Sequence, residues 1–128
     1  VLIAKKNISE KDENVNFMNI GIENYNPNTQ FDIIVSNPPY VADNEIDSVD
    51  KIVLDNEPAL ALFSKGDPLY FYKKIASFSD KYLKNKGRIY LEINDKYLSG
   101  VFDLFKNYSS EAIKDIYGKD RFVVCEKS

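Results

Sequence analysis

Residues Phe31 to Tyr40 read FDIIVSNPPY, and the fold turns on how that stretch divides. Its first six residues, FDIIVS, form a short apolar run, the pattern of a strand covered on both faces. The run stops at Asn37-Pro38-Pro39. Neither proline has an N–H to give to a ladder, and each restricts the residue before it, so the chain must leave the sheet there.

Working outward, Val15, Phe17 and Ile20 punctuate a shorter strand, between the charged loop Ser9 to Asn14 and the turn-rich GIENYNPNTQ. On the other side, Val41 to Lys65 is a polar, acidic loop with one short helix predicted around Glu45 to Leu54. Asp67-Pro68 opens a stronger helix, with Asp at the cap and Pro at the first helical position. Leu69, Tyr72, Ile75, Phe78 and Leu83 stand close to helical spacing, and Asn85-Lys86-Gly87 marks the end. Arg88 to Ile93 predicts a strand and Tyr97 to Tyr108 a second helix. Ala112 to Tyr117 and Arg121 to Glu126 predict two strands joined at Gly118-Lys119-Asp120. Strand, helix, strand, helix and closing hairpin is the pattern of an α/β sheet with crossover connections. Such sheets bind ligands at the carboxyl ends of their strands, which directs attention to the end of FDIIVS.

Composition narrows the chemistry. With 128 residues, 44% apolar and 29% charged, the chain suits one soluble domain. No run approaches the roughly 18 apolar residues of a membrane span, and the start VLIAKKNISEKDE lacks a signal-peptide layout, so a cytoplasmic location without membrane contact is expected. Cys125 is the single cysteine and there is no histidine. That excludes an internal disulfide, a Cys-based zinc cluster and Ser-His-Asp, Cys-His or HExxH chemistry, and no metal centre is expected. Net charge is −3, and the lysines at Lys5-Lys6, Lys73-Lys74 and from Lys81 to Arg88 read as solvated helix faces. A phosphate backbone therefore finds no overall pull. The chain opens at Val1, and VLIAKKN has the look of a helix interior with no N-cap ahead of it, which suggests a piece of a longer protein.

Asn37-Pro38-Pro39-Tyr40 carries the chemical signal. The Asn37 side chain offers a carbonyl acceptor, and the Pro38 carbonyl, held by two locked φ angles, offers a second in rigid relation to it. Two acceptors so placed suit a planar NH2 group and turn its lone pair out of the amide or ring plane, toward an electrophile. Tyr40 adds an aromatic face for a flat polar group. Alkylating an amide nitrogen needs this orientation more than it needs a strong base, so a histidine-free chain can do it, with a sulfonium methyl donor and no metal. The plainer alternative is that Asn-Pro-Pro-Tyr merely turns the chain out of a strand. The strand placed immediately before it makes the chemical reading the more specific of the two.

FDIIVSNPPYV resembles the catalytic signature of the release factor glutamine methyltransferases, the PrmC/HemK group of the class I S-adenosylmethionine-dependent methyltransferases. Further matches are Glu57-Pro58, Ala61-Leu62-Phe63, Asp67, Leu69, Phe71-Tyr72 and Ile75, then Gly87 with Leu91 to Ile93, and Asp115 with Gly118 to Arg121. The resemblance implies an α/β fold that is the C-terminal part of a Rossmann-like class I methyltransferase sheet, with residues 1–128 forming one unit of the catalytic domain. It implies S-adenosylmethionine as cofactor and N5-methylation of the glutamine in the Gly-Gly-Gln motif of peptide chain release factors. Asn37 and the Pro38 carbonyl would bind the target amide, with Asn37 also facing the cofactor. Pro39 would shape the loop, Tyr40 would pack beside the substrate, and Glu57 and Pro58 would border its pocket. Arg121 reads more readily as a structural ion-pair residue than as a substrate contact.

The departures are also informative. The family's first strands, its glycine-rich cofactor loop and its N-terminal helical domain have no counterpart here, and the acid that follows its third strand aligns near Gly21. Ser64 to Pro68 replaces a glycine-rich stretch. Without the first two strands, the edge of FDIIVS is expected to be exposed, so that the piece must rearrange, pair with another copy or be completed by further residues, and the chain alone is expected to bind the cofactor poorly. Two other readings compete: an amino-methyltransferase acting on adenine or guanine in DNA or RNA, whose exocyclic NH2 poses the same problem, and a non-catalytic α/β fragment.

Overall fold

A computed structural model describes residues 14–39 and 67–128. Strand β1 (Phe31–Ser36) leads to helix α1 (Tyr70–Tyr82), strand β2 (Leu83–Glu92), helix α2 (Leu98–Leu104), and the hairpin of β3 (Tyr108–Lys114) and β4 (Asp120–Lys127). The four strands form one sheet in the order β1-β2-β4-β3. β1 and β2 run parallel, while β4 is antiparallel to both β2 and β3. Ser36, Leu91, Val123 and Ala112 lie on one line across the sheet. The expected α/β architecture with its closing hairpin is present.

Alternation decides which side of the sheet is packed. Ile89, Leu91, Val123 and Cys125 face the helices and are fully buried, against Tyr72, Ile75 and Ala76 of α1 and Val101 and Phe105 at α2. On α1, Tyr72, Ile75, Ala76 and Ser79 share the buried face, the three-and-four spacing that one side of a helix presents. Burying each large apolar side chain here is worth about 1.5–3 kcal/mol, which is what holds the two helices down.

Both ends of α1 are tied by side chains. The helix cap is Leu69 rather than the expected Asp67, and Pro68 lies in the turn before it; Asp67, three residues ahead of Tyr70, steadies that turn, its Oδ1 accepting the Leu69 N–H at 3.0 Å and its Oδ2 lying 2.8 Å from Lys73 Nζ. At the far end Lys127 Nζ donates to the carbonyls of Asp80 at 2.8 Å and Leu83 at 3.0 Å, which supplies partners to the helix's last acceptors.

Four expectations are corrected. Val15 to Ile20 forms no strand; Val15, Met18 and Ile20 are about half exposed, because a strand needs a neighbour and the segment has none among the described residues. β1 is covered on one face only: Ile34 packs on the core, whereas Ile33 is 56% and Val35 75% exposed. Leu83 to Gly87 belongs to β2 rather than to a helix-ending turn, with an irregularity in register between Phe31 and Ile33. Lys86, not Gly87, takes the left-handed conformation (φ 60°). Gly87 is needed for close approach, since a Cβ there would come 2.8 Å from the Lys84 carbonyl oxygen and 2.9 Å from the Leu83 side chain. Finally, α2 ends at Leu104, and Tyr108 begins β3. The helices expected at VLIAKKN and Glu45 to Leu54 lie outside the described residues.

Candidate active site

The parallel pair β1 and β2 sends both strands' carboxyl ends to one edge of the sheet, and β1 ends there in Asn37-Pro38-Pro39. Asn37 and Pro39 are exposed and Pro38 between them is buried. The proline pair therefore anchors the bend by its middle residue while leaving the Asn37 amide free of the interior. Three of the residues predicted for the site stand together at this strand end; Tyr40, Glu57 and Pro58 lie outside the described residues.

In front of Asn37 opens a cleft of about 550 Å³. Ser36 to Pro39 form one wall and Asn19 to Glu23 the other, with Phe71 and Ile75 of α1 beneath. The second wall is held in place by aromatic packing. Tyr25 stacks on Phe78 at 5.9 Å, and Phe78 in turn lies 6.0 Å from Phe31 and 4.8 Å from Tyr82, so the short 3-10 turn Ile22–Asn24 is fixed against α1 and the start of β1. The volume falls in the range of small-molecule sites, about 300–1,000 Å³.

Glu23 is the single ionisable side chain among the described residues that line this cleft. Sequence reasoning did not single it out, because it stands on a turn with no motif around it. The structure shows how it enters: its carboxylate folds back over Gly21, occupying the space a Cβ at Gly21 would take. At the position where the resemblance expects an acid there is a glycine, and the glycine admits an acid from two residues further on. Phe71, noted in the sequence only as part of a Phe-Tyr pair, proves to be a cleft residue, while its neighbour Tyr72 is 1% exposed in the core.

Arg121 has the structural role favoured from sequence. Its Nε lies 3.3 Å from Asp115 Oδ2, inside a turn in which Asp115 Oδ1 also accepts from the N–H groups of Tyr117 (2.9 Å) and Lys119 (3.1 Å). The Lys119 backbone N–H, helped by Tyr117 and Arg121, holds the Asp115 carboxyl below its usual 3.8. Cys125 is buried and its thiol is pushed up by that burial, so it offers no nucleophile.

Sheet order and strand-end motif together define an α/β chain of the methyltransferase class. It belongs to the methylase family whose model, described as Eco57I restriction-modification methylase, matches residues 2–122. It is also similar to proteins named release factor glutamine methyltransferase: 39% identical over 98% of this chain and 47% of the Bacteroides thetaiotaomicron protein, and 39% identical over 94% of this chain and 44% of the Flavobacterium psychrophilum protein. The Streptococcus pneumoniae protein of the same name is 43% identical over 76% of this chain and 36% of its own length. The chain thus spans about half the length of the first two relatives. A solved structure of a release factor-specific protein-(glutamine-N5) methyltransferase from Alicyclobacillus acidocaldarius aligns with 77% of this chain and 50% of its own, at 22% identity and a TM-score of 0.49. Among the described residues no helix is long and apolar enough to cross a membrane.

Proposed function

We propose that residues 1–128 are the C-terminal part of a catalytic domain that methylates the N5 amide of glutamine in the Gly-Gly-Gln motif of peptide chain release factors. The observation that carries this reading is the exposed Asn37 amide at the mouth of the cleft, on a bend anchored by buried Pro38. The relatives' shared name supports the substrate, and a translation factor as substrate supports a cytoplasmic setting.

The residues present fit S-adenosylmethionine. Ile20, Ile22 and Phe71 give apolar walls for a flat heterocycle, the Glu23 carboxylate gives an acceptor for its N–H or O–H groups, and Asn37 stands between this side and the substrate. When bound, the donor supplies an electrophilic methyl carbon on a sulfonium. The chain's own work is orientation. The Asn37 carbonyl and the Pro38 carbonyl accept the two amide hydrogens and draw the nitrogen toward a tetrahedral shape, and Pro39 keeps the bend rigid; for Tyr40, Glu57 and Pro58, outside the described residues, the resemblance implies that Tyr40 would pack beside the substrate and Glu57 and Pro58 would border its pocket. The N–H proton lost on methylation passes to water, and no strong base is required.

A second reading has one observation in its favour: the family model's description names a restriction-modification methylase, and an exocyclic amine of adenine presents the same NH2 to the same clamp. Net charge −3 and the Glu57-Pro58, Ala61-Leu62-Phe63 and Phe71-Tyr72 series favour the protein substrate. The test offers a release factor and a duplex DNA to the native polypeptide that carries this chain, with a labelled methyl donor. Label on the Gly-Gly-Gln glutamine is expected; label in the DNA alone refutes the proposal.

A further inference from the structure

We propose that the tip of the β3–β4 hairpin, Ile116 and Tyr117, is a docking contact for the protein substrate of the Asn37 cleft; the proposal rests on the methyl-transfer reading above.

Ile116 is 91% and Tyr117 82% exposed, the two most exposed large apolar side chains among the described residues. Turn positions ordinarily take Gly, Asn, Asp or Ser, so an adjacent aliphatic and aromatic pair there is not explained by the turn itself. Nor is the tip slack. Besides the three bonds accepted by the Asp115 carboxylate, the Asp115 N–H donates to the Lys119 carbonyl at 2.8 Å and the Gly118 N–H to the Asp115 carbonyl at 3.0 Å. Gly118 takes the left-handed conformation (φ 78°) that closes the turn. Two apolar side chains are thus held out in water on a stiff mount, the arrangement that loses least conformational freedom when a partner covers them.

Register places this tip relative to the site. Ser36 is level with Ala112 across the sheet, so Asn37 stands one residue beyond that line and Ile116 four. At about 3.3 Å per residue and 4.8 Å between strands, the tip rises about 10 Å above Asn37 and stands about 10–14 Å to its side. A ligand confined to the cleft cannot reach it. A substrate that extends well beyond its reacting group does.

The surface chemistry selects the kind of substrate. Lys114 pairs with Asp120 at 3.3 Å and Arg121 with Asp115, which leaves the exposed Lys119 as a single positive charge beside the apolar area of Ile116 and the phenol of Tyr117. That suits a folded polypeptide, whose hot spots favour aromatic and apolar contacts, and gives little to a phosphate backbone.

The experiment uses the native polypeptide with Ile116→Ser and Tyr117→Ser together. Both side chains are exposed, so the melting temperature is expected to stay that of the wild type. KM for an intact release factor is expected to rise about tenfold, with Kd for the same protein by fluorescence anisotropy weakening in step, while kcat and KM for S-adenosylmethionine hold. An unchanged KM for the release factor, or a loss shared equally by kcat and the donor's KM, overturns the docking role alone. A wild-type enzyme that methylates no release factor overturns the methyl-transfer reading and this inference with it.

Discussion

The hydroxyl of Tyr72, on a side chain 1% exposed, donates to the carbonyl of Glu92 at 3.2 Å, so the first turn of α1 is bolted to the last residue of β2 beside the cleft. Tyr72→Phe keeps the ring and deprives that carbonyl of its donor. The expected loss is about 1–2 kcal/mol, read as a lower urea midpoint with an unchanged m-value.

Asn37 is exposed, so its replacement tests chemistry rather than folding. In the native polypeptide Asn37→Ala is expected to lower kcat by about 10²–10³, the size of losing one preorganised acceptor, with stability moving by less than about 0.5 kcal/mol. A variant as active as the wild type removes the amide from the mechanism.

Backbone N–H bonds from Lys119 and Tyr117, with Arg121, lower the Asp115 carboxyl, and the Lys73 ammonium does the same to Asp67. Both groups bind protons more weakly in the folded state than in the unfolded one. Their stabilisation is therefore complete above the ordinary carboxylate value of 3.8 and drains away as pH falls through the lower folded values. Urea midpoints measured from about pH 6 down to about pH 3 are expected to decline, and Asp115→Asn to flatten that decline.

Cys125 is fully buried, and its thiol is raised by that burial. A thiol reagent at neutral pH is expected to react only as fast as the protein opens, and to react at once in denaturant. Rapid labelling of the folded chain contradicts the packing of β4.

Within residues 1–128 the glycines Gly21, Gly66, Gly87, Gly100 and Gly118 stand apart, with no glycine-rich loop to approach a cofactor. Calorimetric titration of this chain alone with S-adenosylhomocysteine is expected to show weak, unsaturated heats. Tight one-to-one binding refutes the expectation.

Sequence and structure agree where a signal is local. FDIIVS is the strand and Asn37-Pro38 its end, because two prolines act on their own neighbours whatever the rest of the chain does. Agreement fails where distant packing decides. Asn85-Lys86-Gly87 has the composition of a helix end, yet a left-handed residue ahead of a crowded glycine serves equally well for an irregular strand start. Phe105 and Tyr108 have helical spacing, and their rings do meet, edge to face at 5.5 Å, but across a turn into β3. Exposure of Ile33 and Val35 depends on what lies across the sheet, which an apolar run does not record. The same holds for the site: Asn37 was legible from its motif, while Glu23 became visible only once Gly21 was seen to leave room for it.

The bare side of the sheet has a practical consequence. Ile33 and Val35 of β1, Tyr90 of β2, Phe122 of β4 and Ile113 of β3 share that face, Val35 level with Tyr90 and Phe122 with Ile113, and each is more than a third solvent-accessible. Ammonium sulfate, which tightens the cohesion of water around exposed apolar side chains, should clump the isolated polypeptide, whereas mild chaotropes should keep it dispersed. Purification buffers low in kosmotropes follow directly from five side chains on one face of a twisted ribbon.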